Sequence, residues 1–276
     1  MSYSEELIAS LDAQAKLNRR AVMEMIAAAK TGHPGGGLSA VEILTVLYFH
    51  CMRVDPERPQ WEDRDRFVLS KGHGAAALYA ALGARGFFPK EAFHRFRQTG
   101  GILQGHPDMR KIPGVDMTTG SLGQGLSAAV GMALAARFQA RDFRVYALLG
   151  DGEIQEGQIW EAAMAAAHFR VENLTAILDY NRVQLDGNVA DIMGVEPVAK
   201  KWCAFGWEVV DCPDGHSVRQ VLEAIEVARQ VRGRPAIVIA STVKGKGVSF
   251  MEHQSSWHGV SDAARLPEAV EEVSRL

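Results

Sequence analysis

Five short runs rich in apolar and β-branched residues, "RFVLS", "RVYALLG", "LTAILDY", "WEVVDC" and "PAIVIAST", are separated along the chain by amphipathic stretches of helical period. No other feature constrains the fold as much, because strands joined by crossover helices assemble into a mostly parallel sheet flanked by helices, an α/β architecture. Val218, Val221, Leu222, Ile225 and Ala228 illustrate the helical part: they form one stripe that packs a helix face on the sheet. Capping-box spacing predicts two further helices. Ser2 with Glu5 precedes a segment running to Lys30, and Ser39 with Glu42 follows the glycine-rich "TGHPGGG". No repeat or low-complexity linker breaks the alternation, so residues 1–276 are expected to form one domain. With 47% hydrophobic residues the chain has enough apolar side chains for a substantial core.

Charge and cysteine content narrow the partners. A formal net charge of −3 supplies no electrostatic reason to bind nucleic acid or an acidic membrane surface, and a small ligand is expected instead. The three cysteines, Cys51, Cys203 and Cys212, lack metal-type or CxxC spacing, which predicts no disulfide framework and suits a reducing cytoplasm. The N-terminal "MSYSEELIASLDAQAKLNRR" has no apolar signal core, and the small-apolar stretch Leu126 to Ala136 is too short to span a membrane. A soluble, unprocessed protein is expected.

In open α/β sheets ligands bind beyond the carboxyl ends of the strands. Glycine-rich loops follow four of the five runs: "SKGHG", "GDGEIQEG", "NRVQLDG" and "KGKG". Asp151, between two glycines at the end of "RVYALL", places a carboxylate at a strand terminus that is expected to be exposed, and the glycines let a phosphate approach the backbone. Asn181 ends the next run. If these strands are neighbours, the carboxylate, the Asn181 amide oxygen and the Val183 carbonyl form an oxygen-only set suited to Mg²⁺. The competing interpretation makes Asp151 a helix cap and Asn181 a turn residue. Four of nine histidines, His33, His73, His106 and His258, sit in glycine-rich segments, where imidazoles suit proton transfer at a carbonyl. His50, His94, His168, His216 and His253 read as surface residues.

The order GDG, about thirty residues, Asn resembles the thiamin-diphosphate enzymes. "TGHPGGGLSAVEILTVLY", "RFVLSKGHGAAALYA", "GHPD", "TTGSLGQGLSAAVGMALA", "GDGEIQEGQIWEAAMAAAH", "LDYNRVQLDG" and "WHG" are similar, in the same order, to the transketolase family. The resemblance spans Thr31 to Gly259. It implies a thiamin-diphosphate-binding fold of the diphosphate-binding type, with Asp151, Asn181 and the Val183 carbonyl as ligands of Mg²⁺ or another divalent cation such as Ca²⁺ or Mn²⁺. It also implies that Gly152 lies against the diphosphate, that Leu122 and Leu185 contact the cofactor rings, and that Gly120 brings backbone near the aminopyrimidine. His33, His73, His106 and His258 would line the substrate channel, with His73 and His258 also reaching the cofactor. Glu156, counted with the cofactor residues, would belong to an acidic network linking paired active sites across the subunit interface.

The implied activity is transfer of a two-carbon ketol unit from a ketose phosphate to an aldose phosphate. Two departures qualify it. Lys244 and Lys246 in "TVKGKG" stand where many transketolases carry apolar and aromatic residues, closer to the deoxyxylulose-phosphate synthase pattern; Lys244 either meets the diphosphate or is solvated. The chain also ends at Leu276, where full-length transketolases continue into pyrimidine-binding and C-terminal domains. This implies the N-terminal subunit of a split enzyme, inactive alone, whose activating glutamate lies on a C-terminal partner subunit, two copies of each forming a heterotetramer. The alternatives are half of a deoxyxylulose-phosphate-type synthase, a 2-oxo-acid dehydrogenase α subunit, or a non-catalytic cofactor-binding or interaction module. The four histidine motifs argue against the dehydrogenase, and intact Asp151, Asn181 and His258 argue against the non-catalytic module.

Overall fold

The structure, a computed structural model, describes residues 3–276. Each of the five apolar runs contains a strand: β1 (Arg66–Leu69), β2 (Val145–Gly150), β3 (Leu174–Tyr180), β4 (Glu208–Cys212) and β5 (Ala236–Ser241). All pair in parallel, in the order β1-β2-β3-β5-β4. The helices are α1 (Glu5–Ala29), α2 (Pro34–Leu38), α3 (Val41–Val46), α4 (Ala75–Arg85), α5 (Gln124–Phe138), α6 (Gly157–His168), α7 (Val189–Ile192), α8 (Val198–Ala204), α9 (Val218–Gln230) and α10 (Leu266–Ser274).

Successive strand residues point to opposite faces, so a sheet covered on both sides needs apolar residues at consecutive positions. Phe67, Leu69, Tyr146, Leu148, Ile177 and Val238 enter the core shared with α1, α3, α4, α9 and α10. Their neighbours Val68, Ala147, Leu149, Leu178, Ile237 and Ile239 enter the opposite core, shared with α5, α6 and α8. Full burial of a side chain of this size contributes about 1.5–3 kcal/mol. The stripe on α9 is buried as its spacing predicts.

The helix starts differ from the capping-box expectation. Ser2 lies outside the described residues, and α1 is capped by Ser4, whose hydroxyl accepts from the Leu7 N–H at 3.2 Å. At Ser39 no box forms. The chain is already helical in α2, with Pro34 supplying the preset φ of a first turn. The Ser39 hydroxyl instead donates to Asp179, and Glu42 pairs with Arg19 and His216. Both polar groups are drawn inward by buried charge rather than used as caps.

Strands β1, β2, β3 and β5 are successive neighbours, with Gly150 opposite Asp179 and Tyr180 opposite Ser241. Their carboxyl ends therefore deliver "SKGHG", "GDGE", "NRVQ" and "TVKGKG" side by side, while α2 brings "HPGGG" against them.

Candidate functional site

These loops enclose a cavity of about 270 Å³ whose wall includes Asp151, Asn181, Val183, Lys244, His73 and His258. The adjacency of β2 and β3 sets Asp151 and Asn181 next to one another. Asp151 Oδ1 accepts from the Gly152 N–H at 2.8 Å and Oδ2 accepts from the Arg182 N–H. The strand-end carboxylate is buried, not exposed as the sequence suggested. Burial and then the charge of Asp179 push its pKa up to about 7, since only backbone N–H groups compensate it directly. It does not cap α6, whose N-terminus has no side-chain cap. Asn181 does form a turn: its Oδ1 accepts from the Val183 N–H at 3.1 Å.

Lys244 is buried, which removes the solvated alternative. Its ammonium donates to the Val183 carbonyl at 2.9 Å and lies 3.1 Å from His258 Nδ1. An ammonium only donates, so Nδ1 accepts and the His258 proton resides on Nε2. Burial, then Lys71, lowers the Lys244 pKa to about 8.

The four motif histidines converge. Ring centroids are 5.6 Å apart for His33 and His73, 5.9 Å for His33 and His106, 5.4 Å for His33 and His258, and 4.9 Å for His73 and His258. Each resists protonation, chiefly through burial: His33 is lowered to about 4 and His258 to about 3, with Lys244 adding repulsion at both. His73 and His106 are lowered as well. Neutral imidazoles packed among cations are retained as donor–acceptor groups at neutral pH. Gly36 permits this packing, since a Cβ there would meet His73 Nε2 at 2.9 Å.

Of the other expected residues, Gly152, Leu122, Leu185 and Glu156 line the cavity, the last two exposed at its mouth. Gly120 packs against His106 at a φ of 152°, a conformation that favours glycine, and is not part of the cavity wall. His216 departs from the surface assignment. It is nearly buried, with Nδ1 2.8 Å from Glu42 and Nε2 accepting from the Val243 N–H at 2.8 Å, so it anchors the strand end that leads to Lys244.

Beneath the cavity lies a network that the sequence reading missed. Lys71 pairs with Asp179 and donates to the Gly36 carbonyl at 2.7 Å, while Ser39 and Thr242 also donate to Asp179. Burial raises and these partners lower the Asp179 pKa, and the partners prevail. Glu153, also buried, accepts from Ser70, from the Gly123 N–H at 3.0 Å and from the Gly150 N–H at 3.0 Å. An ionisable residue inside the otherwise apolar "LTAILDY" was the available signal for Asp179.

The site fits a diphosphate and a hard cation on its own geometry. Asp151, the Asn181 amide and the Val183 carbonyl are oxygen donors of the kind Mg²⁺ takes. The Lys244 ammonium resting on the Val183 carbonyl marks that carbonyl as a cation-attracting point. The exposed Leu185 and Glu156 mark where the cavity opens, so a ligand longer than the cavity can extend past them.

The geometry has counterparts among known proteins. Residues 11–271 match the family described as the thiamine diphosphate binding domain of transketolase. The 6-deoxy-6-sulfo-D-fructose transketolase subunit of Clostridium sp. (strain MSTE9) is 48% identical, over 93% of both chains. The apulose-4-phosphate transketolase subunit of Phocaeicola vulgatus is 43% identical over 97% of this chain and 95% of its own. Among solved structures, the Campylobacter jejuni transketolase superposes with a TM-score of 0.89 at 33% identity, matching 99% of this chain and 43% of its own. The chain thus spans less than half the length of that transketolase but nearly all of the two subunits.

Proposed function

Because this chain belongs to the transketolase family, as an N-terminal subunit with the family's thiamin diphosphate-binding domain, we propose that it binds the diphosphate end of the cofactor for two-carbon ketol transfer. The observation that carries this reading is the convergence of three oxygen donors, Lys244, His73 and His258 in one cavity, with His33 packed between His258 and His106 beside it. When bound, thiamin diphosphate supplies a nucleophilic carbon able to break and form carbon–carbon bonds beside a carbonyl.

In this proposal Asp151, the Asn181 amide oxygen and the Val183 carbonyl hold Mg²⁺ or a similar divalent cation. Lys244, which now donates to the Val183 carbonyl, would give up that oxygen to such a cation and would face the diphosphate together with the Nε2–H of His258. Leu122 and Leu185 flank the rings, and Gly152 keeps the backbone close to phosphate. His33, His73, His106 and His258 remain neutral, so each can donate an N–H to the substrate's carbonyl oxygen as negative charge develops there, or accept a hydroxyl proton. Lys71 and Asp179 fix the loops that carry these groups.

The substrates are a ketose donor and an aldose acceptor. Two relatives are named for different anionic sugars, one sulfonated and one phosphorylated, which supports a donor with an anionic end group. The relatives' names as subunits support a C-terminal companion that supplies the rest of the site, two copies of each chain forming a heterotetramer. Three free cysteines, one of them exposed, support the cytoplasm as its compartment. The test is a coupled ketol-transfer assay of the purified chain, alone and mixed with the product of the adjacent gene. Turnover only in the mixture is expected; robust turnover by the chain alone overturns the split-enzyme reading.

A further inference from the structure

One cation beside the histidines has no role in the account above. Arg97 adopts a left-handed conformation, φ 57°, and its backbone N–H donates to the Leu103 carbonyl at 2.8 Å. Its guanidinium lies over Gly105, the residue before His106: a Cβ there would come within 3.0 Å of the guanidinium carbon. Nη1 is sealed from solvent and has no hydrogen-bond partner, and among the described residues Arg97 makes no ion pair. His33 Nδ1 is buried and unpartnered too. After burial, Arg97 is the largest influence opposing protonation of both His33 and His106, so its charge bears on the same part of the site.

Arg97 is half-buried, and the fully buried arginines of this chain are treated differently. Arg64 has Asp116 at 2.6 Å, and Arg19 has Glu42 and two backbone carbonyls. Asp108, whose charge acts with that of Arg97 on Tyr79, is already engaged by Arg110 and Lys111. A guanidinium nitrogen sealed from water without a partner is costly, and a sugar hydroxyl would satisfy its N–H while leaving the charge without a counter-ion. A phosphate or sulfonate satisfies both and matches the planar fork.

We infer that Arg97 is a substrate-binding residue of this chain, contacting the anionic end group of the sugar that His33 and His106 address. This inference rests on the ketol-transfer reading and adds a phosphate- or sulfonate-recognition point that the diphosphate site does not use.

Two measurements test it. In the complex with the companion subunit, Arg97→Met is expected to raise KM for a phosphorylated ketose roughly 10–100-fold, the range for losing a charged hydrogen bond. Its kcat, thiamin diphosphate affinity and activity on the same ketose without phosphate should change little. Arg97→Lys, which keeps the charge without the fork, should fall between wild type and Arg97→Met. Equal losses on both ketoses, or none, overturn the contact. The second measurement needs no turnover: NMR of the histidine side chains of the full chain titrated with inorganic phosphate. His106, which lies off the diphosphate cavity wall, should respond saturably in wild type, weakly in Arg97→Lys and not in Arg97→Met. An unresponsive wild type, or an undiminished response in Arg97→Met, overturns the inference. If the wild-type complex transfers no ketol unit but this titration behaves as expected, the ketol-transfer reading fails and the anion contact stands.

Discussion

Two buried carboxylates at opposite ends of the sheet, Asp116 and Asp151, are treated in opposite ways. At the amino end, Asp116 accepts from the Arg64 guanidinium at 2.6 Å and from the Phe67 N–H at 2.8 Å, and Asp65 accepts from the backbone N–H groups of Arg53 and Arg144, both at 2.8 Å, with the Arg53 guanidinium 3.8 Å away. There the negative charge is consumed in fixing where strands begin. At the carboxyl end Asp151 is equally buried but receives only N–H groups, and burial leaves it hard to ionise. A carboxylate that the fold neutralises holds structure together. One that it leaves uncompensated is available to a cation from outside.

Exchanging each acid for alanine breaks that comparison most sharply. Asp116→Ala strands Arg64 in the interior, and truncating one partner of a buried pair costs about 3–5 kcal/mol. Asp151→Ala strands no cation and removes a costly charge, so chemical denaturation should find the fold as stable as wild type or more so. Metal-dependent binding of thiamin diphosphate should nevertheless vanish, as read by calorimetric titration with Mg²⁺ and the companion subunit. Unchanged cofactor affinity in Asp151→Ala would falsify the assignment of that residue as a metal ligand.

The histidines separate chemistry from retention of the cofactor. Loss of one preorganised donor to developing charge costs about 10²–10³ in turnover. His106→Ala should lower kcat by that order with cofactor affinity nearly unchanged, because its ring lies off the cavity wall. His73→Ala should lower kcat as much and also weaken cofactor binding, since His73 lines the cavity. Wild-type kinetics in both would remove these residues from the reaction.

The strands and α9 were legible because each is one uninterrupted local pattern, apolar runs for a doubly covered sheet and a 3.6-residue stripe for the helix. Asp151 and Asn181 were legible for a related reason: each ends such a run, and the two runs prove to be neighbours. Lys71 with Asp179 was not, since the partners are 108 residues apart and no short window contains both. His216 read as a loop histidine because Glu42, which receives it, lies 174 residues away. Arg97 was missed in "FRQTGG", a polar segment that looks like any loop until folding sets its guanidinium near the histidines. The Ser39 box failed because a buried charge competes for the same hydroxyl.

Lys244 sharpens the comparison from the cationic side. Of the two lysines that line the cavity it is the one that pairs with no carboxylate, and it rests on a carbonyl, as a mobile counter-charge to diphosphate should. Lys244→Met should weaken thiamin diphosphate binding roughly tenfold, about one charged hydrogen bond. The loss should be nearly the same at low and high salt, because buried charges are little screened. A loss that disappears in high salt would place the ammonium in solvent in the loaded enzyme.

The smallest expected effect is on stability against pH, where the same end of the sheet carries two opposing contributions. His33 and His258 protonate at about 4 and 3 in the fold, against an ordinary value of 6.5, so the unfolded chain binds more protons across that interval. Their contribution is complete above pH 6.5 and is lost as pH falls toward 4. Asp151 acts in reverse: it ionises near 7 in the fold and near 3.8 when unfolded, so the fold keeps a proton that the unfolded chain releases, and stability falls as pH rises between those values. In the cofactor-free chain Asp151 offsets only about one of these histidines, so the wild-type fold should still lose stability as pH falls from 6.5 toward 4. His33→Gln should tilt it toward greater stability at low pH, whereas Asp151→Asn should steepen the loss of stability on acidification. Denaturant midpoints measured across that range distinguish the cases. Parallel profiles for wild type and both variants would mean that neither the imidazole nor the carboxylate is held in the protonation state that its burial imposes.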